Sequence, residues 1–121
     1  MKKVLIVDDE EPILALLSVI VSSIPGCTII RAVDGKGAID LVQAERPDLM
    51  LLDNKLPGMS GLEVCRSIKS DPDLSSTKVL ILSCQGQNFD WQTAREYGAE
   101  SYLTKPFDTT ALIEKIQALL K

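Results

Sequence analysis

The strongest constraint on the fold of this chain is the alternation of short apolar runs with longer amphipathic segments. The short runs, such as "VLIV" and "LMLL", predict buried strands at 3–7, 27–33, 48–52, 79–82 and 101–104. The amphipathic segments predict helices at 11–23, 37–45, 62–69 and 88–97, and a last helix that begins near residue 109. Apolar strands joined by helices belong to a parallel sheet covered on both faces, so we predict an α/β fold.

Polar residues mark the predicted starts of three helices. The candidate N-caps are Asp34, then Ser60 or Gly61, and finally Asp108 or Thr109. No stretch of the sequence has the composition of a linker, a repeat or a low-complexity segment. We therefore predict one domain over residues 1–121.

Composition excludes several classes of function. The net charge of -4 argues against non-specific binding to nucleic acid or to an anionic membrane, and no apolar run is long enough for a membrane span. Cys27, Cys65 and Cys84 are far apart and lack CxxC spacing, which favours a reduced, cytoplasmic protein. The chain has no histidine, which excludes histidine-based zinc sites and histidine-assisted nucleophiles. Its chemistry must rely on carboxylates, hydroxyls, lysine or a thiol.

Ionisable and polar residues follow four of the predicted strands, at the ends where open parallel sheets bind ligands. These residues are Asp8 and Asp9, Asp53, Ser83, and Lys105. The flavodoxin-like strand order 2-1-3-4-5 makes the four strands neighbours, about 4.8 Å apart. This order places Asp9 and Asp53 within reach of one cation, so we predict a doubly wound, five-stranded parallel sheet with five helices.

Clustered carboxylates raise one another's pKa unless positive charge neutralises them. Lys105 supplies one charge, and Mg²⁺ would supply the remainder, because it binds few carboxylates and keeps several waters. A magnesium ion beside a lysine and a hydroxyl is an arrangement that binds phosphoryl groups. For Glu10 and Glu11 we favour a simpler role as acidic residues at a helix start.

Four segments of the sequence resemble the receiver domain of bacterial two-component response regulators. They are "VLIVDDEEP", "DLMLLDNKLPGMSGLEV", "VLILSC" and "GAESYLTKPF", and the resemblance extends from Lys3 to the last helix. It implies that Asp53 accepts a phosphoryl group from a phosphohistidine. It further implies that Mg²⁺ is bound by Asp9 and Asp53, by Asp8 through water, and by the backbone carbonyl of Lys55.

The resemblance also implies a switch. Ser83 and Lys105 would hold the phosphoryl oxygens, Tyr102 would occupy the switch aromatic position, and the Lys105–Pro106 bond would be cis. Movement of Ser83 and Tyr102 would then alter the surface formed by the fourth helix, fifth strand and fifth helix. The implied partners are a sensor histidine kinase or phosphotransfer protein and a downstream output protein or domain. A dimer formed on phosphorylation is compatible with this scheme. Such a domain catalyses only its own phosphorylation and dephosphorylation.

Three residues depart from the pattern of that family. Asn54 follows the phosphoacceptor where an apolar residue is common, and Cys84 and Gln85 follow Ser83. We expect them to affect access to the acyl phosphate, its lifetime and the choice of partner.

Three other functions are compatible with parts of the pattern. A flavodoxin-like FMN carrier shares the topology, but the acidic "DDEEP" loop would repel a phosphate. A phosphatase or NTPase is disfavoured because GxxxxGK[ST] is absent and no acid lies two residues after Asp53. A receiver that serves only as a binding module is the third alternative.

Overall fold

The computed structural model describes residues 1–84 and 91–121, which form five strands and five helices in strict alternation. The strands are β1 (Lys2–Val7), β2 (Cys27–Ala32), β3 (Leu49–Asp53), β4 (Lys78–Cys84) and β5 (Ser101–Lys105). The helices are α1 (Glu11–Ser22), α2 (Gly35–Glu45), α3 (Gly61–Lys69), α4 (Trp91–Glu96) and α5 (Thr109–Leu119). Residues 88–90 of the predicted fourth helix, and position 85, lie outside the described residues.

All neighbouring strands are parallel, and their order is β2-β1-β3-β4-β5, which confirms the predicted flavodoxin-like sheet. The register pairs Val7 with Leu52, and Asp53 with Leu82. Cys84 is paired with Lys105 at the end of β4 and β5. The carboxyl ends of the four strands that carry the predicted site residues therefore meet at one edge of the sheet.

The apolar side chains form a core layer on each face of the sheet. Helices α2, α3 and α4 cover one face, through residues such as Val42, Val64 and Ala94. Helices α1 and α5 cover the other face, through residues such as Leu17 and Ile116. Alternate residues of 4–7 in β1 and of 49–52 in β3 enter the two layers and are almost fully buried, which explains why these two runs are continuously apolar. Each buried Val, Leu or Ile contributes roughly 1.5–3 kcal/mol.

Side-chain caps begin three of the helices, as the sequence indicates. The side chains of Asp34, Ser60 and Asp108 accept hydrogen bonds from the backbone of Gly37, Glu63 and Thr110, at 2.7, 3.2 and 3.2 Å. Helix α2 begins at Gly35, directly after its N-cap Asp34 and two residues earlier than predicted.

The strands that end at the site are longer than the apolar pattern predicts. Asp53, Ser83 and Lys105 lie within β3, β4 and β5. The ladder even continues past β3, because the Asn54 backbone N–H donates to the Leu82 carbonyl at 3.0 Å. Polar side chains interrupt a hydrophobic pattern without interrupting backbone pairing, and for this reason the sequence placed the strand ends too early.

Among the described residues, no helix combines the length and the apolar character that crossing a membrane requires.

Candidate functional site

The centre of the candidate site is a lysine that joins two buried carboxylates. Lys105 Nζ donates to Asp8 Oδ2 at 3.0 Å and to Asp53 Oδ1 at 3.2 Å. Asp8 is 0% exposed and Asp53 is 4% exposed. The three side chains come from β5, the loop after β1, and β3, so they meet only because these strands end at the same edge. Charged groups this deeply buried require partners, and each carboxylate has the lysine as its partner.

A tight turn orients Asp8. Its Oδ1 atom accepts a hydrogen bond from the Glu10 backbone N–H at 2.9 Å, which is an Asx turn. Its own backbone N–H donates to the Ala32 carbonyl at 3.2 Å and extends the pairing of β1 with β2. One carboxylate oxygen is thus used within the turn, and the other is directed to Lys105.

Burial dominates the electrostatics of Asp53. Desolvation raises the pKa of this carboxyl, the nearby Asp8 raises it further, and Lys105 together with a hydrogen bond from the Lys55 backbone N–H lowers it only in part. Burial works against the charge of Lys105 also, but its hydrogen bonds and attraction to Asp8 and Asp53 outweigh this effect and raise its pKa. The lysine is therefore held as a cation, whereas the negative charge of Asp53 is not fully compensated.

A cluster of three carboxylates lies at the edge of this site. One ligand atom each from Asp8, Asp9 and Glu10 lies within 4.8 Å of the others, with Asp8 buried and the other two exposed. Oxygen atoms of this kind fit a hard divalent cation. The sequence interpretation treated Glu10 only as a helix-start residue. Glu10 occupies the N-cap position of α1, where it makes no side-chain cap hydrogen bond and lies beside the two aspartates.

The loop that follows Asp53 depends on Gly61, which the sequence indicated only as an alternative N-cap to Ser60. The Gly61 backbone N–H donates to the Asn54 carbonyl at 2.8 Å and closes the loop onto the end of β3. A Cβ atom at position 61 would lie 2.5 Å from the Asp53 carbonyl oxygen and 2.8 Å from the Asn54 Cα. Only glycine permits this approach, and a glycine directly after the Ser60 cap was the available signal.

The predicted switch residues lie on β4 and β5. Ser83 is 2% exposed, near the end of β4. Tyr102 is exposed, and its ring lies against Trp91, with centroids 4.9 Å apart and an angle of 32° between the rings. The Lys105–Pro106 peptide bond is cis.

The residues that depart from the family pattern have distinct environments. Asn54 Oδ1 is buried, and it has no hydrogen-bond partner among the residues that the structure describes. Cys84 is exposed and lines, with Lys105, an apolar cavity of about 450 Å³ between α1 and the segment after β5. Cys65, by contrast, is a fully buried part of the core, and burial raises its pKa to about 11. The expected effects of Asn54 and Cys84 on phosphorylation stay predictions.

Comparison with known proteins agrees with this geometry. Residues 4–117 match the family model described as "Response regulator receiver domain". The signal receiver domain of a signal transduction histidine kinase from Syntrophus aciditrophicus is 29% identical, with a TM-score of 0.89 over 99% of this chain and 90% of that one.

Two further solved structures are similar over nearly their whole length. The signal receiver domain of a DNA-binding response regulator from Colwellia psychrerythraea is 26% identical, with a TM-score of 0.90 and coverage of 99% and 98% of the two chains. The receiver domain of the Francisella response regulator 1452 is 27% identical, with a TM-score of 0.87 and coverage of 99% and 97%. The chain therefore belongs to the response regulator receiver domain family and acts in two-component signalling as a signalling domain rather than as a classical enzyme.

Proposed function

We propose that this receiver domain accepts a phosphoryl group on Asp53 from a phosphohistidine of a sensor histidine kinase or phosphotransfer protein. The observation that carries the proposal is the contact of Lys105 with both buried carboxylates, Asp8 and Asp53. A structural ion pair needs one carboxylate for one lysine. A second buried carboxylate leaves excess negative charge, which is what a site for a cation and a phosphoryl group requires.

The chemistry is a displacement at phosphorus. An oxygen of Asp53 forms a bond to phosphorus while the phosphorus–nitrogen bond of the donor breaks, and the departing imidazole keeps the electron pair and takes up a proton. Lys105 lies 3.2 Å from the Asp53 carboxylate and can neutralise the charge on the transferred oxygens. Ser83 would donate its hydroxyl to the same group. The backbone N–H of Lys55 holds the Asp53 carboxylate in place.

The donor set also fits Mg²⁺. The residues that would hold the ion are Asp8, Asp9 and Asp53 and the backbone carbonyl of Lys55, and Glu10 lies close enough to Asp8 and Asp9 to contribute. All of these donors are hard oxygen atoms, and the chain contains no histidine that would favour zinc. When bound, the ion would supply the positive charge that Lys105 alone does not provide.

The phosphoryl group would be read out through Ser83 and Tyr102, because both lie on strands at the site. Their movement would change the surface of α4, β5 and α5, which would then bind an output protein or domain, or a second copy. We do not expect this chain to bind nucleic acid or a membrane directly. A cytoplasmic location and a single domain over residues 1–121 also stay predictions.

The test is phosphorylation by a small-molecule donor. Acetyl phosphate with Mg²⁺ should increase the intact mass of the protein by one phosphoryl group, and a chelator should prevent the increase. The Asp53→Asn variant should show no increase. Asp40→Asn, which removes an exposed carboxylate on α2, is the matched control and should behave as the unaltered protein does.

Two outcomes would contradict the proposal. Equal phosphorylation of Asp53→Asn and of the unaltered protein would show that another residue is the phosphoacceptor. No phosphorylation from acetyl phosphate or from a phosphorylated histidine donor would favour a receiver that acts only as a binding module.

A further inference from the structure

The ring contact between Trp91 and Tyr102 joins α4 to β5. Tyr102 is the second residue of β5, and Trp91 is the first described residue of α4. Their centroids are 4.9 Å apart with a tilt of 32°, a geometry in which aromatic rings attract one another. Trp91 also packs against the core cluster under α2, α3 and α4, so its ring is anchored on the core side.

The register of the sheet places this pair on the same face as Ser83. Tyr102 pairs with Ile81, whose side chain belongs to the core cluster against which Trp91 packs. Paired residues of a parallel ladder point to the same face, and residues two apart on a strand share a face. Ser83 therefore lies on the face of Ile81 and Tyr102, one side-chain position nearer to the site.

We propose that Trp91 is a positioning residue that holds the ring of Tyr102 away from Ser83. This inference rests on the proposed function, in which Tyr102 moves when Ser83 binds the phosphoryl group. On this proposal, the Tyr102 ring leaves Trp91 when it turns towards Ser83. Loss of an aromatic pair changes the equilibrium between the Tyr102 ring on Trp91 and the ring turned towards Ser83 by about 2- to 13-fold. Trp91 therefore sets the population of the domain in which Tyr102 has turned.

The chain offers a direct probe, because Trp91 is its only tryptophan. Acetyl phosphate with Mg²⁺ should change the Trp91 emission spectrum in step with the mass increase. The Tyr102→Leu variant should become phosphorylated without that spectral change. Tyr97→Leu is the matched control, since the chain's other tyrosine lies against Arg66 instead, and it should keep the spectral change.

Rates of phosphorylation distinguish a role of Trp91 in positioning Tyr102 from a role in core packing alone. Trp91→Leu should accelerate phosphorylation about 2- to 13-fold, whereas Trp91→Phe, which keeps a ring, should stay near the original rate. In a Tyr102→Leu background, Trp91→Leu should have no effect on the rate. An equal effect of Trp91→Leu in both backgrounds would overturn the inference.

The mass and fluorescence measurements distinguish a failure of this inference from a failure of the proposed function. A mass increase with an unchanged Trp91 spectrum overturns the role of Trp91 and leaves the proposed function intact. No mass increase in any variant overturns the proposed function and this inference with it.

Discussion

Replacement of Asp53 by asparagine should stabilise the metal-free protein. Asp8 Oδ2 and Asp53 Oδ1 both contact Lys105 Nζ, so the distance between these oxygens cannot exceed the sum of 3.0 and 3.2 Å, about 6.2 Å. Two unit charges at that distance repel by about 2.7 kcal/mol or more at an effective dielectric constant of about 20. The substitution removes this repulsion and the desolvation of one charge, and it leaves Lys105 with a single carboxylate partner.

The pH dependence tests the same reasoning. The pKa of Asp53 is raised in the folded protein above its usual value, so protonation of this group favours the folded state. Its contribution to stability is fully present below the unfolded-state pKa and is lost as the pH rises through the folded-state pKa. The difference in unfolding free energy between Asp53→Asn and the unaltered protein should therefore increase from pH 4 towards pH 7.

Urea denaturation with a chelator present measures this difference. We expect Asp53→Asn to gain about 1–3 kcal/mol at pH 7, because the raised pKa of Asp53 means that desolvation and the Asp8 repulsion together outweigh the Lys105 attraction that is lost with the charge. The exposed Asp9→Asn variant should change stability by less than about 0.5 kcal/mol. Added Mg²⁺ should stabilise the unaltered protein and reduce the difference in unfolding free energy between it and Asp53→Asn. If Asp53→Asn is less stable than the unaltered protein at pH 7, Lys105 compensates the charge completely and the argument for an anionic excess fails.

Three other substitutions and reactions test individual features of the structure. Gly61→Ala should destabilise the protein by about 1–3 kcal/mol in urea denaturation and slow phosphorylation of Asp53, because the new methyl group would press on the Asp53 backbone; unchanged stability would contradict that contact. Asn54→Leu should raise the unfolding free energy by about 1–3 kcal/mol, since it removes a buried acceptor that has no partner in residues 1–84 and 91–121; a loss of stability would show that Oδ1 is satisfied in solution. Iodoacetamide at pH 8 should alkylate the exposed Cys84 well before Cys65, whose pKa is raised to about 11 by burial, and equal labelling in a mass-spectrometric time course would contradict that burial.

The fold could be predicted from the sequence because its signals are local and repeated. Continuous apolar runs such as 49–52 require a strand covered on both faces, and the intervening segments carry helical periodicity and capping residues such as Asp34 and Ser60. The strand order was taken from the flavodoxin-like fold, because that order makes neighbours of the four strands that carry the site residues. The strand ends were the least accurate part, since backbone pairing continues through polar residues such as Ser83.

Which site residues contact one another was decided by the tertiary structure. The sequence selected Asp8, Asp53 and Lys105, but only the folded sheet shows that one ammonium group contacts both carboxylates, across 97 and 52 residues of chain. Glu10 joins the acidic cluster through the turn after β1. Gly61 is required because a Cβ atom at this position would lie 2.5 Å from the Asp53 carbonyl oxygen, and no pattern of hydrophobicity predicts that contact.

The pairing of Trp91 with Tyr102 likewise depends on the packing of α4 against β5. Periodicity and turn chemistry act between near neighbours in the chain, so the sequence by itself determined the element types, the parallel α/β class and the residues available for phosphoryl chemistry. Distances between side chains on different strands depend on register, twist and burial, which exist only when the whole sheet is assembled. The charge balance at Asp53 and the partner of Tyr102 were therefore decided by the tertiary structure alone.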